Sequence, residues 1–435
     1  MRVMLSWQQP DTEAGDNVKA MGDLVVIGSG IAGHSAVLEL RRVAPDQTVQ
    51  IIGAETGRPY DRPPLSKDFL LADTPKLPLL GQSDIYDDGV TLRDGVSATA
   101  IDCDRHIVTL SDGATVAYDK LLLATGSRLR KMPFSPADQQ RVFYLRTVDD
   151  ARRLRAALRE SRRVAIIGGG FIGLEVAAAA RQLDCDVTVL EQAPALLSRG
   201  STPQLARYVR DMHAEHGSDI ILDASVDEIV FDASGVTLRW QDGDLRADIV
   251  VIGIGIIPNM ELAAEAGIAS DDGILVDHRC RTSDADVFAA GEVTNYPIGA
   301  LHLRARTESW SAAGSQAAVA ARNMVGEDCS FDELPWFWSD QFDANVQCLG
   351  LPRRASRYLR IGDMAEGKWM RIGLDVDDRL VGAECVNMGR EMSALRRADR
   401  NGQPVPPALL DRAVPERGEA VAELVEEPPL RGMRC

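Results

Sequence analysis

The chain is short of positive charge and of organised cysteine. Lys and Arg number 48 against 65 Asp and Glu, for a formal net charge of −17 over 435 residues. So acidic a chain is a poor general binder of nucleic acid or of an anionic membrane surface. The seven cysteines (Cys103, Cys185, Cys280, Cys329, Cys348, Cys385 and Cys435) are scattered, and no CxxC occurs. That argues against a zinc ribbon, a thioredoxin-type site and a cysteine-ligated iron–sulfur cluster, and it suits a reducing, cytoplasmic setting. The six histidines stand apart, with no HExxH. His213 and His216 share one expected helix but have no evident third ligand, so both read as solvated or structural, and no metal site is expected. No apolar run approaches the roughly 18 residues that span a bilayer. The opening MRVMLSWQQPDTEAGDNVKA lacks a long apolar core and a small-residue cleavage site, so residues 1–20 read as a loose extension rather than a secretory signal.

What is present is a nucleotide fold, twice. Hydrophobic residues make up 45% and charged residues 26%, enough for two or three domains with proper cores. DLVVIGSGIAGHSAVLELRR opens with a buried-strand run, then Gly28-x-Gly30-x-x-Gly33, then an Ala/Leu-rich helix. A second strand follows, with Glu55 just past it. Gly28 makes the tight turn, Gly30 lets the backbone approach a pyrophosphate, and Gly33 lets helix pack on strand. The free N–H groups of the helix start then face the phosphates. Glu55 is placed to accept from a ribose, although it stands a little late for that role.

The unit recurs at RRVAIIGGGFIGLEVAAAARQLDCDVTVLEQAP, with Gly168-x-Gly170-x-x-Gly173 and Glu191 at the end of the second strand. One GxGxxG is a weak signal. Two, each with strand, helix and acid in place, are a strong one. Glu191 can accept from a free 2′-hydroxyl and repel a 2′-phosphate, and Gln192 and Ala193 after it bring no arginine. NADH is therefore favoured over NADPH.

Two further segments carry a family resemblance. KLLLATGSRLR is a strand running into a turn at Thr125 and Gly126, with Arg128 after it. DVFAAGEVTNYP is a strand ending in Gly291 and Glu292. Together with the two fingerprints they resemble the two-dinucleotide flavoproteins of the glutathione-reductase fold, in which the first fingerprint binds FAD and the second NAD(P)H. IVVIGIGIIPN resembles the segment where the chain returns to the FAD domain. The flavin motif usually reads Gly-Asp, so Glu292 is a departure, with one more methylene for the backbone to accommodate.

Within that superfamily, GRPYDRPPLSKDFL is more specific. Its three prolines and five charged residues read as an ordered loop rather than a helix or strand. With RTESWSAAGSQAAVAARNM and PWFWSDQFDANVQCLG, it resembles the ferredoxin reductases of bacterial oxygenase systems, of the putidaredoxin-reductase and biphenyl-dioxygenase-reductase type. The resemblance implies a loop wrapped on the flavin, with Arg62 and the prolines shaping the pocket. It places Lys67 near the isoalloxazine N5, paired with Glu175, where a fixed cation stabilises developing negative charge. It also places Ile172 and Trp310 among the cofactor contacts, and Trp338 near the nicotinamide. Trp336 and Trp338 face the same way on a strand, and Trp336 reads as core.

The loop has no cysteine, so disulfide exchange is not expected. The implied activity is NADH-dependent reduction of FAD, then one-electron delivery to a [2Fe–2S] ferredoxin. That carrier would feed a Rieske dioxygenase or a cytochrome P450 in aromatic hydrocarbon catabolism. Such ferredoxins are usually acidic, so docking needs a local basic patch, for which Arg304, Arg306, Arg353, Arg354, Arg357, Arg396, Arg397 and Arg400 are candidates. Two rivals stay open: a reductase for rubredoxin or a quinone, and an NADH-sensing flavoprotein resembling apoptosis-inducing factor. Monomer and homodimer also both stay open.

The expected fold is α/β, with two Rossmann-like domains and a small α+β C-terminal domain. The expected boundaries are 21–133 with 248–325 for FAD, 134–247 for NAD, 326–400 for the C-terminal domain, and a Pro/Glu-rich tail over 401–435.

Overall fold

The computed structural model describes residues 23–87, 89–133, 138–198 and 200–416. The extension expected over 1–20 lies outside the described residues, as does the chain after 416.

The first nucleotide unit is a five-stranded parallel sheet. Its order is Val287–Ala289, Lys120–Leu123, Leu24–Ile27, Val49–Gly53 and Val90–Asp94. All four residues of Leu24–Ile27 are buried, as a strand covered on both faces requires. Helix Ile31–Val43 follows it and packs against helix Trp310–Met324. The second unit repeats the plan with Ser218–Ile221, Asp186–Leu190, Arg163–Ile167, Ile249–Ile252 and Val142–Phe143, again all parallel.

Ile249–Ile252 corrects one expected boundary. The sequence places the segment from 248 in the FAD domain, yet this strand pairs with Arg163–Ile167. The reason lies in how far the duplication extends. In each unit a three-stranded antiparallel meander precedes one further parallel strand. The meander over Ala98–Asp102, Ile107–Leu110 and Thr115–Ala117 precedes Lys120–Leu123, and that over Val226–Asp232, Gly235–Trp240 and Gly243–Ala247 precedes Ile249–Ile252. The return to the first domain follows at Ile256–Pro258, which pairs antiparallel with Ser127–Leu129.

The third unit is a six-stranded antiparallel sheet, backed by helix Gly389–Arg400. Its edge strand Val414–Pro415 pairs with Arg357–Asp363. The tail expected from 401 therefore starts too early: helix Pro407–Leu410 and this strand belong to the domain. Glu416 closes it, pairing at 2.7 Å with Arg371, a cation only 2% exposed that also lies over the Tyr358 ring. Strong local proline content hid a strand whose only support is this long-range pairing. The charged loop also differs in part from expectation. It contains a short 3₁₀ turn, Pro63–Ser66, and a single helical turn, Asp68–Leu71. Pro63 and Pro64 stand where a first turn has no N–H to lose.

Candidate cofactor and electron-transfer site

The two fingerprints form matching cradles. A Cβ on Gly28 would stand 2.0 Å from the Ala124 carbonyl oxygen, and one on Gly168 would stand 2.4 Å from that of Gly253. Both glycines sit at positive φ, 111° and 108°. Gly33 and Gly173 are packed as tightly, against the carbonyls of Gly28 and Gly168. Gly30 and Gly170 differ, since a Cβ on either would meet nothing within 4 Å. Each is the N-cap of its helix, and neither helix start has a side-chain cap. Open space before uncapped N–H groups fits a dinucleotide pyrophosphate, twice.

Around the first cradle, Glu55 accepts from Arg62 and from the Tyr60 hydroxyl. Arg62 also donates to the Arg146 carbonyl at 2.6 Å. Thr125 Oγ1 donates to the Asn259 carbonyl at 2.7 Å, tying the turn at Gly126 to the returning chain. Arg128 is half exposed and engaged by Asn259 (3.0 Å) and Glu261 (2.6 Å) on that returning chain. Glu292, next to Gly291, reaches Arg146 and accepts from Ser127 Oγ at 2.8 Å. Burial raises its pKa, but the Arg146 charge and the hydrogen bonds from Arg146 and Ser127 outweigh this, so the carboxyl sits below its ordinary value. The acid thereby ties Ser127, beside the first domain's turn, to Arg146 on the segment entering the second.

In the second cradle, Glu191 Oε2 accepts from Gly169 N at 2.6 Å and Oε1 from Ala193 N at 2.8 Å. The carboxylate is thus fixed at the strand end. Ile172, the second residue of the helix, is 48% exposed, a large apolar side chain left open beside the cradle.

The charged loop joins the two units. Lys67 Nζ pairs with Glu175 Oε1 at 2.9 Å, with 13% and 2% of the side chains exposed, and donates to the Pro63 carbonyl at 3.2 Å. Glu175 Oε2 accepts from Ser66, and Oε1 also accepts from Ser339 at 2.6 Å. A buried carboxylate is tolerated here because a cation and two hydroxyls satisfy it.

Strand Trp336–Gln341 lies between the two nucleotide units. Ser339 and Gln341 face the second, while Trp336 and Trp338 face the first. The two indoles stack at 5.1 Å, and Trp338 meets Trp310 edge-on at 5.8 Å. Trp310 Nε1 donates to Asp61 of the charged loop at 2.7 Å. Trp336, read from sequence as core, is only half-buried. Its Nε1 donates to Gln347, and the Arg396 guanidinium lies 3.6 Å over the ring. Of the other arginines singled out, Arg306 is held by Asp272 and Glu308, Arg357 by Asp378, Arg353 by the Ser198 carbonyl, and Arg304 by the carbonyls of Val276 and Asn295. Arg400 lies 3.9 Å from Glu333, and Arg354 and Arg397 are exposed.

Sequence reasoning did not single out Ser66, Ser339, Gln341, Arg146 or Ser127. Alternation along FWSDQ was the available signal for two of them, since Ser339 and Gln341 fall on the face opposite the tryptophans. His213, read as solvated or structural, is fully buried and bonds Gln341 at 2.9 Å. Among the described residues, no group of three or more His, Cys, Asp or Glu is placed to hold a metal ion.

Residues 22–317 match the model of the pyridine nucleotide-disulphide oxidoreductase family, and 336–417 match that of the reductase C-terminal domain. The chain is similar to the ferredoxin–NAD(+) reductase component of the anthranilate 1,2-dioxygenase system of Burkholderia cepacia, 45% identical over 90% of this chain and 97% of that protein. It is similar to rhodocoxin reductase of Rhodococcus erythropolis, 37% identical over 88% of this chain and 91% of that one. Among solved structures, it is similar to putidaredoxin reductase in its covalent complex with putidaredoxin, with a TM-score of 0.84, 33% identity, and 89% and 95% of the two chains covered. With two dinucleotide cradles, a bridging loop and a third domain in the matching order, the chain belongs to the pyridine nucleotide-disulphide oxidoreductase family and carries the reductase C-terminal domain.

Proposed function

We propose that the protein is an FAD-dependent NADH:ferredoxin reductase that passes electrons from NADH through FAD to a [2Fe–2S] ferredoxin serving a Rieske dioxygenase or a cytochrome P450. The observation that carries this reading is the Lys67–Glu175 pair, which links the two nucleotide units through a loop that lacks cysteine. The names of the relatives and of the solved complex support the acceptor.

Bound FAD would supply acceptance of a hydride and release of electrons one at a time. The first cradle, with Gly28, Gly30 and Gly33, would hold its pyrophosphate. Arg62, Thr125, Gly126, Gly291, Glu292 and Trp310 would surround the rest, with Arg128 bracing the returning chain. Gly168, Gly170, Gly173, Ile172 and Glu191 would hold NADH. Lys67 is a preorganised cation: Glu175 and the Pro63 carbonyl fix it, so stabilising negative charge on the ring needs no reorganisation. Trp338, packed edge-on against Trp310, would shield the nicotinamide side of the site from water.

For docking we favour the face around Trp336 and helix Gly389–Arg400. There Arg396 and exposed Arg397 offer positive charge on an acidic protein. The expected setting is the cytoplasm, where NADH is supplied; the six described cysteines are all free. The terminal oxygenase would be met only through the ferredoxin. The test is NADH-dependent cytochrome c reduction with and without a [2Fe–2S] ferredoxin, over a salt series. Stimulation by ferredoxin that declines as salt rises supports the reading. Equal rates with and without it refute the acceptor.

A further inference from the structure

An unbroken buried chain of hydrogen bonds runs from Lys67 to His213. Lys67 and Ser339 Oγ both meet Glu175 Oε1, at 2.9 and 2.6 Å. Gln341 Nε2 meets Ser339 Oγ at 2.9 Å, and His213 Nε2 meets Gln341 Oε1 at 2.9 Å. Ser339, Gln341 and His213 are wholly buried. The chain passes through all three units: the loop of the first, strand Trp336–Gln341 of the third, and helices Phe171–Gln182 and Pro203–Glu215 of the second.

Donor chemistry gives the chain one direction. The carboxylate paired with Lys67 only accepts, so Ser339 must donate to it. The Ser339 oxygen then accepts from the Gln341 NH₂ group, which turns the Gln341 carbonyl toward His213. His213 must therefore carry its proton on Nε2. Its Nδ1 is then the bare nitrogen, and that atom is buried with no partner among the described residues.

We infer that His213 is a positioning residue for the electron-transfer site. An amide can turn over when nothing distinguishes its two ends. Here the turn would set the Gln341 NH₂ against the His213 N–H, or else push that proton to Nδ1, where it would be a buried donor with no partner among the described residues. It would also offer Ser339 a carbonyl, drawing its hydroxyl off Glu175. By forbidding that turn, His213 keeps Ser339 on the carboxylate and so holds the Lys67 ammonium in place. The inference rests on the role given above to Lys67.

The test uses the FAD-loaded protein and the variants H213L, H213Q, S339A and K67M, with FAD content and Tm measured for each. The flavin midpoint potential is read together with kcat and KM for NADH. H213L and S339A should each lower the equilibrium constant for flavin reduction about three- to tenfold, a fall of ~15–30 mV, with KM unchanged. The double variant should fall no further than either single one, because both cut the same chain. H213Q refills the polar site but offers either a donor or an acceptor, so it leaves the Gln341 amide free to turn and should fall with H213L; a restored potential in H213Q would mean that polar filling, not the fixed direction, is what matters. In the unaltered protein, ¹⁵N NMR should find His213 as the Nε2–H tautomer. A shifted potential in K67M with none in H213L overturns the chain. No shift in K67M overturns the role of Lys67 instead. An Nδ1–H tautomer at His213 overturns the inference whatever the potentials show.

Discussion

Replacing Glu191 with alanine should weaken the preference for NADH in a calculable way. The carboxylate is held by Gly169 N at 2.6 Å and Ala193 N at 2.8 Å, so it has no freedom to swing away from an incoming group. A 2′-phosphate brings a charge of about −2. At a separation of ~4 Å in a partly hydrated site the repulsion is at least ~2–3 kcal/mol, taken near the high-dielectric end of the range. That corresponds to roughly 30- to 150-fold in kcat/KM. E191A removes the charge and frees two backbone N–H groups to meet the phosphate. The ratio of kcat/KM for NADH over NADPH, measured with ferricyanide as acceptor, should therefore fall by about that factor, mostly through a lower KM for NADPH. A ratio unchanged in E191A would mean that another group selects the nucleotide.

The central ion pair can be tested through stability. E175L leaves the largely buried Lys67 without a carboxylate, Ser339 without an acceptor, and Ser66 with only the Pro63 carbonyl at 3.5 Å. Removing one partner of such a pair costs ~3–5 kcal/mol, so the Tm should drop clearly, with partial recovery in the K67M/E175L double variant. The fingerprint glycines should separate packing from binding. A Cβ at Gly173 would lie 2.2 Å from the Gly168 carbonyl oxygen, so G173A should unfold at a lower temperature. G170A meets nothing within 4 Å and should keep its Tm while KM for NADH rises about tenfold as the pyrophosphate loses its close approach. Burial lowers the pKa of both His34 and His213 below 6.5. The unfolded chain then takes up those protons first, so stability should fall as pH drops below about 6.5, less steeply in H213Q. A Tm flat from pH 7 to 5 would contradict that.

The parts of the site that were legible in the sequence are those carried by short-range pattern. Each fingerprint needs only its own turn, and the glycine spacing fixes which positions are crowded and which are open. The shared face of Trp336 and Trp338 follows from strand alternation, and they stack at 5.1 Å. Lys67 and Glu175 lie in separate units and were paired by family resemblance, not by spacing. What stayed hidden depends on where a second segment arrives. Ile249–Ile252 is as apolar as any strand of the first sheet, and only its partner tells which sheet it joins. Val414–Pro415 has no local strand signal and is held by its pairing with Arg357–Asp363. His213 looked like any polar residue on an amphipathic helix. Its place opposite Gln341 is set by the docking of the third domain. Glu292 read as a departure from the usual acid, and its reach to Arg146 became visible only once the connecting segment was in place.

The central claim is that electrons from NADH reach bound FAD fast enough to supply a ferredoxin. The most direct measurement is anaerobic stopped-flow mixing of the FAD-loaded protein with NADH, followed by a second mix with oxidised [2Fe–2S] ferredoxin. The account predicts bleaching of the visible flavin band at a rate typical of enzyme turnover, about 1–1000 per second, and return of that band as the ferredoxin is reduced. Slow bleaching into a persistent long-wavelength band, with ferredoxin leaving it unchanged, would contradict the account and favour an NADH sensor.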